Sequence, residues 1–205
     1  MAWTYYITDR KICRLPILQQ IQLAIHAGVD LLQIREKDLA TRELLMLAKQ
    51  ARMLSQGHPT QVLINDRLDI ALAANLHGIH LSQTSPQPST IRARLSKSQL
   101  LIGVSTHNIE EVEQAFQGGA DFVTFGPIFA TPSKLRFGSP LGITALQKVL
   151  QKSNHPVVAL GGINEKNYEK CLEIGAKGIA AIRMFQQPEP SVRKIVCAIR
   201  SQSSQ

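Results

Sequence analysis

The stretch PVVALGGINEKNYEKCLEIGAKGIAAI, residues 156–182, contains a complete strand, helix and strand unit. Two short apolar runs at 157–161 and 178–182 flank a segment at 164–173 with helical periodicity. The residues IGAKG, just before the second strand begins, supply a glycine that allows a helix to end in the left-handed conformation. The stretch therefore predicts two parallel strands joined by a helix.

The same alternation runs along the whole chain. Strands are predicted at 5–8, 31–35, 62–65, 78–81, 101–105, 122–126, 157–161 and 178–182. Helices are predicted at 16–27, 41–54, 67–74, 89–94, 109–117, 143–150, 164–173 and 191–200. About eight such units in 205 residues predict an α/β protein, a (β/α)8 TIM barrel of parallel strands alternating with helices. We expect one barrel domain over residues 1–200 and a disordered tail at 201–205.

An open, doubly wound sheet is the alternative architecture. Such a sheet normally carries a glycine-rich, phosphate-binding turn after an early strand. Here the first predicted strand leads into ITDRKI, residues 7–12, which lacks that motif. The sequence favours the barrel.

The chain is basic, with 23 Lys and Arg against 15 Asp and Glu and a formal net charge of +8. An excess of this size suits anionic partners. The basic residues are dispersed, however, and the aromatic residues that could stack on bases make up only 5% of the chain. We therefore expect no nucleic-acid partner.

Membrane and disulfide classes are also disfavoured. No apolar run approaches the roughly 18 residues that span a bilayer, and the opening residues MAWTYYITDR lack a secretory signal pattern. We expect a cytoplasmic protein without a membrane partner. Cys13, Cys171 and Cys197 are far apart and form no C-x-x-C pair, which predicts free thiols.

In a (β/α)8 barrel, functional residues lie at the carboxyl ends of the strands and in the loops that follow. At the end of the second strand, alternation places Gln33, Arg35 and Lys37 on one side. Two neighbouring cations repel each other, and an anionic ligand would relieve that repulsion. The alternative interpretation is a solvated, charged loop.

Two further strand ends carry polar groups. Asp66, after the third strand, is either a hard-oxygen ligand for Mg²⁺ or a cap of the following helix. Ser105, Thr106 and His107 at the end of the fifth strand bring hydroxyls and an imidazole to the same end of the barrel. A single histidine is more often structural than catalytic, so His107 alone does not assign a reaction.

The loop after the sixth strand is rich in hydrogen-bond donors, and its length suits a cover that closes on a ligand. Lys134 is a point charge suited to phosphate, and the hydroxyls of Thr131 and Ser133 could add hydrogen bonds. Together with Arg35 and Lys37, Lys134 predicts a first anion site.

A second anion site is predicted at the ends of the last two strands. Gly161 and Gly162, with small residues leading to Arg183, let backbone N–H groups approach a phosphate. A reaction that joins two phosphorylated molecules needs such a pair of sites.

With these residues in place, the sequence resembles the thiamine phosphate synthase family and its relatives, the TenI-type thiazole tautomerases. The resemblance covers nearly the whole chain. The matching segments are YITDR (6–10), QIREKD (33–38), INDRLDIALA (64–73), GIHLSQ (78–83), GVSTHNIEE (103–111), GADFVTFGPIFATPSK (119–134), PVVALGGIN (156–164) and GAKGIAAI (175–182).

The resemblance implies a transferase of thiamine biosynthesis. Such an enzyme couples hydroxymethylpyrimidine diphosphate to thiazole phosphate and releases pyrophosphate, with Mg²⁺ as cofactor. The reaction of the family is dissociative, because the diphosphate leaves before the thiazole nitrogen captures the pyrimidine cation. The implied partners are these two small phosphorylated substrates, and a homo-oligomer is possible.

The resemblance also implies a role for each matching residue. The pyrimidine diphosphate would be held by Gln33, Arg35, Lys37, Asn65 and Lys134, with Mg²⁺ on Asp66. Ser105 and Lys134 would lie beside the reacting groups. The thiazole phosphate would contact Thr131, Ser133, Gly162 and the backbone around Ile182, with Arg183 beside it.

The sequence departs from the synthase pattern at three positions. The family usually carries a second Mg²⁺ carboxylate after the fourth strand, where this chain has Ser85, so the expectation of Mg²⁺ is weakened. Ser133 stands where Thr is usual, and this change keeps the hydroxyl. Arg183 stands where Ser is common, and it could strengthen a phosphate site or block it.

Two other functions remain open. A TenI-type tautomerase needs neither diphosphate nor metal, but that branch carries a His where this chain has Pro127, which leaves His107 as the candidate proton shuttle. A non-catalytic binder of phosphorylated ligands would keep the barrel and lose turnover. Retention of Arg35, Lys37, Asn65, Asp66 and Lys134 favours the synthase.

Overall fold

The computed structural model describes residues 1–95, 100–131 and 139–202. Within them, eight parallel strands pair in chain order and close into a barrel, β8 pairing with β1. The strands are β1 (Trp3–Ile7), β2 (Leu31–Ile34), β3 (Gln61–Asn65), β4 (Gly78–Leu81), β5 (Leu101–Thr106), β6 (Phe122–Phe125), β7 (Val157–Leu160) and β8 (Gly178–Ala181). The predicted (β/α)8 barrel is confirmed, and the open sheet is wrong.

A helix follows each strand and packs on the outside of the barrel. The helices are α1 (Ile17–Ala27), α2 (Thr41–Leu54), α3 (Leu68–Ala73), α4 (Pro88–Arg92), α5 (Ile109–Gln117), α6 (Gly142–Lys152), α7 (Glu169–Glu173) and α8 (Glu189–Ser201). A short 3-10 helix, Arg183–Phe185, lies between β8 and α8. In the described part of the chain, no helix is long and apolar enough to cross a membrane.

Two predicted segments differ from the structure. The predicted helix at 164–173 is α-helical only from Glu169, because the side-chain amides of Asn164 and Asn167 donate to the Gly162 carbonyl of the preceding loop instead. The last helix continues through Ser201, one residue into the predicted disordered tail, and residues 203–205 lie outside the described residues.

The apolar core has two layers, which follow from the alternation of side chains along each strand. Outward-facing residues pack against the helices and form the larger cluster. Inward-facing residues fill the barrel, and the fully buried ones include Tyr5, Leu63 and Phe122. Above this inner layer, the same alternation places polar side chains on the inner face as the strands approach their carboxyl ends.

Candidate active site

We call the carboxyl ends of the strands, with the loops that follow them, the mouth of the barrel. The acidic residues near β2 are engaged with the loop after β1. The buried Glu36 accepts hydrogen bonds from the Thr8 hydroxyl (2.7 Å) and the Arg10 backbone N–H (3.1 Å). Asp38 forms ion pairs with Arg10 and Lys11 at 2.6 and 3.0 Å, and these hydrogen bonds lower the pKa of Asp38. Neither carboxylate is left to neutralise other cations.

The two predicted cations of β2 therefore stay available. Among the described residues, the side chains of Arg35 and Lys37 have no ion pair or hydrogen bond. Between the inner layer and these cations lies Gln33, which is 1% exposed. Its amide nitrogen is buried and makes no hydrogen bond of normal geometry with the described residues. A ligand that carries both an anionic group and a hydrogen-bond acceptor would satisfy the two cations and the buried amide nitrogen together.

Asp66 lies directly after β3, in the left-handed region with φ of 60°. One carboxylate oxygen accepts hydrogen bonds from the Ser82 backbone N–H (2.8 Å) and from the Ser85 hydroxyl. The other accepts from the Asn65 amide at 2.7 Å. Burial raises the pKa of Asp66, but the hydrogen bonds from Ser85, Ser82 and Asn65 outweigh burial and lower it below its ordinary value.

The alternative role of Asp66 as a helix cap is wrong. The N-cap of α3 is Arg67, and no side chain forms a capping hydrogen bond there. The Asp66 carboxylate faces the loop after β4 instead, so it is a charged group held at the mouth. Ser85 occupies the place that the family pattern gives to a second carboxylate, and it donates to Asp66.

A polar network that the sequence did not reveal lies inside the barrel. His80 of β4 is 2% exposed, with Nδ1 3.0 Å from the Tyr5 hydroxyl and Nε2 3.0 Å from the Ser105 hydroxyl. Thr124 lies 3.4 Å from the same Nε2. Burial lowers the pKa of His80 to about 3, so the imidazole is neutral.

His107 does not join this network. Its Nδ1 lies 3.1 Å from a Glu111 carboxylate oxygen, which also accepts the His107 backbone N–H at 2.7 Å. His107 lies just before α5 and Glu111 lies in its first turn, which Asn108 caps by accepting the Glu111 backbone N–H. The imidazole that contacts Ser105 directly is that of His80.

Gly162 forms a cradle next to the loop after β6. It has φ of +66°, and a Cβ there would lie 2.6 Å from the carbonyl oxygens of Phe129 and Ala130. That loop continues to pair with the end of β7, since the Phe129 backbone N–H donates to the Gly161 carbonyl at 2.9 Å. Only glycine fits this close approach of two backbones.

The remaining predicted residues are placed as follows. Thr131 is the last described residue before the gap at 132–138 in the loop after β6, and Ser133 and Lys134 lie outside the described residues. Ile182 follows β8 and packs against the inner layer, and the exposed Arg183 begins the 3-10 helix.

Two clefts in the described part of the chain lie at opposite ends of the barrel. One of about 290 Å³ opens at the mouth between the loops after β4 and β5, and Ser82, Ser85, Ser105 and Glu111 line it. A larger one of about 610 Å³ lies at the opposite end, between the end of α6 and the start of β7. The smaller cleft adjoins the Asp66 and Ser105 side chains, so it is the cleft that is relevant to a reaction at the mouth.

This geometry agrees with a comparison against known families. A family model described as thiamine monophosphate synthase matches residues 4–185. The chain belongs to the thiamine monophosphate synthase family. The resemblance inferred from the motifs is confirmed.

Curated relatives cover most of the chain. A putative thiamine-phosphate synthase of Geobacter sulfurreducens is 42% identical over 191 residues, covering 92% of this chain and 89% of the relative. A thiamine-phosphate synthase of Chlorobium phaeobacteroides is 38% identical over 192 residues, covering 92% of each chain. Among solved structures, a thiamine phosphate pyrophosphorylase from Pyrococcus furiosus has a TM-score of 0.83 and 30% identity, covering 96% of both chains.

The family uses Mg²⁺, and the donor set here supports only a partial site. Among the described residues, no group of three or more His, Cys, Asp or Glu side chains could hold a metal ion. Asp66 supplies a single carboxylate. Mg²⁺ is often held by one or two carboxylates together with substrate phosphates, so Asp66 fits a metal that is shared with a bound diphosphate.

Proposed function

We propose that the protein is a thiamine phosphate synthase that joins hydroxymethylpyrimidine diphosphate to thiazole phosphate and releases pyrophosphate. The observation that carries the proposal is the set of unsatisfied groups at the end of β2. Arg35 and Lys37 have no anionic partner among the described residues, and the Gln33 amide is buried without a hydrogen bond. A diphosphate would satisfy the cations, and a pyrimidine ring nitrogen would accept a hydrogen bond from the amide nitrogen.

In this proposal the protein acts mainly by positioning and by charge. The bond from the pyrimidine methylene carbon to the diphosphate oxygen breaks, and the thiazole nitrogen then bonds to that carbon. Arg35, Lys37 and Lys134 stabilise the negative charge of the leaving diphosphate. Gln33 and Asn65 orient the pyrimidine, and Ser105 donates a hydrogen bond beside the reacting groups.

The thiazole phosphate is assigned to the opposite side of the mouth. The left-handed Gly162 brings the backbone close to Phe129 and Ala130, which directly precede Thr131 in the chain. Backbone N–H groups there, and those after β8 around Ile182, suit a phosphate monoester. Arg183 is exposed at the start of the 3-10 helix, so it supports this site by charge.

Asp66 is the residue that would hold Mg²⁺, and when bound the ion would help to neutralise the leaving diphosphate. Asp66 keeps its negative charge near neutral pH because the hydrogen bonds from Ser85, Ser82 and Asn65 lower its pKa. With Ser85 in place of a second carboxylate, we propose that Mg²⁺ and diphosphate bind together rather than metal first.

A substitution at position 85 tests this metal site. Ser85→Asp is expected to tighten binding of Mn²⁺, used as a spectroscopic substitute for Mg²⁺, by about tenfold, because it adds a second carboxylate beside Asp66. Electron paramagnetic resonance of free Mn²⁺ measures the change. Ser89→Asp on the exposed face of α4 is the control for added charge. Equal affinity in both variants would contradict the assignment of Asp66.

The proposed reaction is tested with purified protein, Mg²⁺ and both substrates. The expected product is thiamine phosphate, identified by chromatography and formed only when both substrates are present. No product at high enzyme concentration would overturn the proposal. The tautomerase alternative is followed in a parallel reaction with thiazole carboxylate phosphate, with His107→Ala as its control. Ligand-induced thermal stabilisation without either product would indicate a binder.

A further inference from the structure

We infer that Arg10, in the loop after β1, is a positioning residue for the diphosphate site at the end of β2. Its side chain holds the Asp38 carboxylate beside the loop after β1. Asp38 is thereby kept from pairing with Arg35 and Lys37, the two cations that bind the diphosphate in the proposed reaction. The inference rests on that proposed function, and it gives Arg10 no contact with the substrates.

The end of β2 carries carboxylates that could compete with the diphosphate for these cations. From Arg35 to Asp38 the sequence reads REKD, so each cation is followed directly by a carboxylate. The chain turns at this point, because the Glu36 carbonyl accepts the Leu39 backbone N–H at 3.3 Å. Inside that turn, Asp38 is next to Lys37 and three residues after Arg35. An ion pair between Asp38 and either cation would neutralise a charge that the diphosphate needs.

The first of these carboxylates fixes the backbone of Arg10. Glu36 is 4% exposed, and its oxygens accept hydrogen bonds from the Thr8 hydroxyl at 2.7 Å and from the Arg10 backbone N–H at 3.1 Å. The same Thr8 oxygen accepts the Arg35 backbone N–H at 2.9 Å. Hydrogen bonds to a buried, ionised group are stronger than those between neutral groups. Glu36 therefore holds the loop after β1, and with it Arg10, against the end of β2.

The side chain of Arg10 holds the second carboxylate. Its two terminal nitrogens donate to the two oxygens of Asp38 at 2.6 and 3.1 Å, and Lys11 Nζ lies 3.0 Å from one of these oxygens. A guanidinium binds a carboxylate through two parallel hydrogen bonds, whereas an ammonium is a point charge that does not fix its orientation. The hydrogen bonds from Arg10 and Lys11 lower the pKa of Asp38, so the carboxylate is ionised at neutral pH. Because Asp38 is exposed, loss of Arg10 would let this charge change partners.

Removal of Arg10 and rescue at Asp38 test this role. Arg10→Met keeps an unbranched side chain and removes the guanidinium. It is expected to weaken binding of inorganic pyrophosphate, with Mg²⁺ present, about tenfold, because the released Asp38 pairs with Arg35 or Lys37. Adding Asp38→Asn removes the competing charge, so the double variant is expected to bind pyrophosphate within about threefold of the native chain. Isothermal titration calorimetry measures each dissociation constant.

Asp9 supplies the matched control, because its carboxylate lies in the same loop and accepts the Lys11 backbone N–H at 3.2 Å. Arg10→Met combined with Asp9→Asn has the same net charge as the rescued variant but leaves Asp38 ionised. This control is expected to bind pyrophosphate at least about fivefold more weakly than the native chain. Equal recovery in the two double variants would mean that net charge accounts for the effect, and no recovery in either would mean that the loop is misplaced. Either result overturns the inference.

Steady-state kinetics separate this role from damage to the whole mouth. In Arg10→Met, KM for the pyrimidine diphosphate is expected to rise about tenfold, while KM for thiazole phosphate stays within about twofold of the native value. If Arg10→Met does not fold, Arg10→Lys keeps the charge and removes only the bidentate contact. It is expected to weaken pyrophosphate binding about threefold, and Asp38→Asn is expected to restore it.

The calorimetric series does not depend on turnover, so the two proposals can fail separately. A native chain that binds pyrophosphate but forms no thiamine phosphate overturns the proposed function alone. A native chain that binds no pyrophosphate in the presence of Mg²⁺ overturns the role of Arg10.

Discussion

Arg35→Ala is expected to lower kcat/KM for the pyrimidine diphosphate by about 10²-fold to 10³-fold, the range seen when one preorganised charged donor is removed from a transition state. The reason is local. The acidic neighbours Glu36 and Asp38 are bound to Thr8, Arg10 and Lys11, so no described carboxylate neutralises the Arg35 side chain before the substrate arrives. The guanidinium charge is therefore available to stabilise the bound diphosphate.

The matched control is Arg94→Ala, which removes the same charge from an exposed position after the end of α4. It is expected to leave kcat/KM within about twofold of the native value. Steady-state kinetics with the pyrimidine diphosphate varied measures both variants. Similar losses in the two would mean that net charge, not a contact at the mouth, accounts for the effect. No loss in Arg35→Ala would contradict its assignment to the diphosphate.

Gly162→Ala is expected to cost about 3 kcal/mol or more of unfolding free energy and to raise KM for thiazole phosphate at least about tenfold. Two causes add. The left-handed φ of +66° disfavours any side chain, and the new Cβ would lie 2.6 Å from the carbonyl oxygens of Phe129 and Ala130. The loop after β6 must move away, and the proposed phosphate cradle opens.

Gly57→Ala separates these two causes, because Gly57 has φ of +77° but no heavy atom within 4 Å of a built Cβ. It is expected to lose only the conformational part, about 1–2 kcal/mol, with unchanged kinetics. Urea denaturation gives the free energies, and initial rates give KM. If Gly162→Ala behaves like Gly57→Ala in both measurements, the close contact at Gly162 has no role in binding.

The barrel was predictable because it depends on a pattern that the chain repeats. Each short apolar run followed by a helical segment indicates one unit, and the closed, parallel order of strands confirms the count. The bounds of α2 and α5 agree with their predicted ranges. The start of α7 was missed because Asn164 resembles a helix cap in sequence, whereas its side chain accepts the backbone N–H of Lys166 in a turn.

At the mouth, the alternation of side chains and the predicted strand ends gave the positions of the charged residues, but they did not give the residues that these contact. The sequence alone does not show that Glu36 accepts a hydrogen bond from Thr8 or that Ser85 donates one to Asp66, because each of these contacts joins two separate loops. His80 was missed although its signal was present. His80 lies two residues after Gly78 in β4, so the alternation of side chains places both residues on the inner face of the barrel. The same alternation placed Gln33 and Arg35 on one side of the second strand.

The central claim is that two phosphorylated groups bind at opposite sides of one barrel mouth. A crystal structure of the protein soaked with Mg²⁺, pyrophosphate and thiamine phosphate tests it most directly. We expect pyrophosphate against Arg35 and Lys37, Mg²⁺ between it and Asp66, and the thiamine phosphate monoester against the backbone at Gly162. Pyrophosphate bound elsewhere, or a mouth that stays free of both anions at saturating concentrations, would contradict the account.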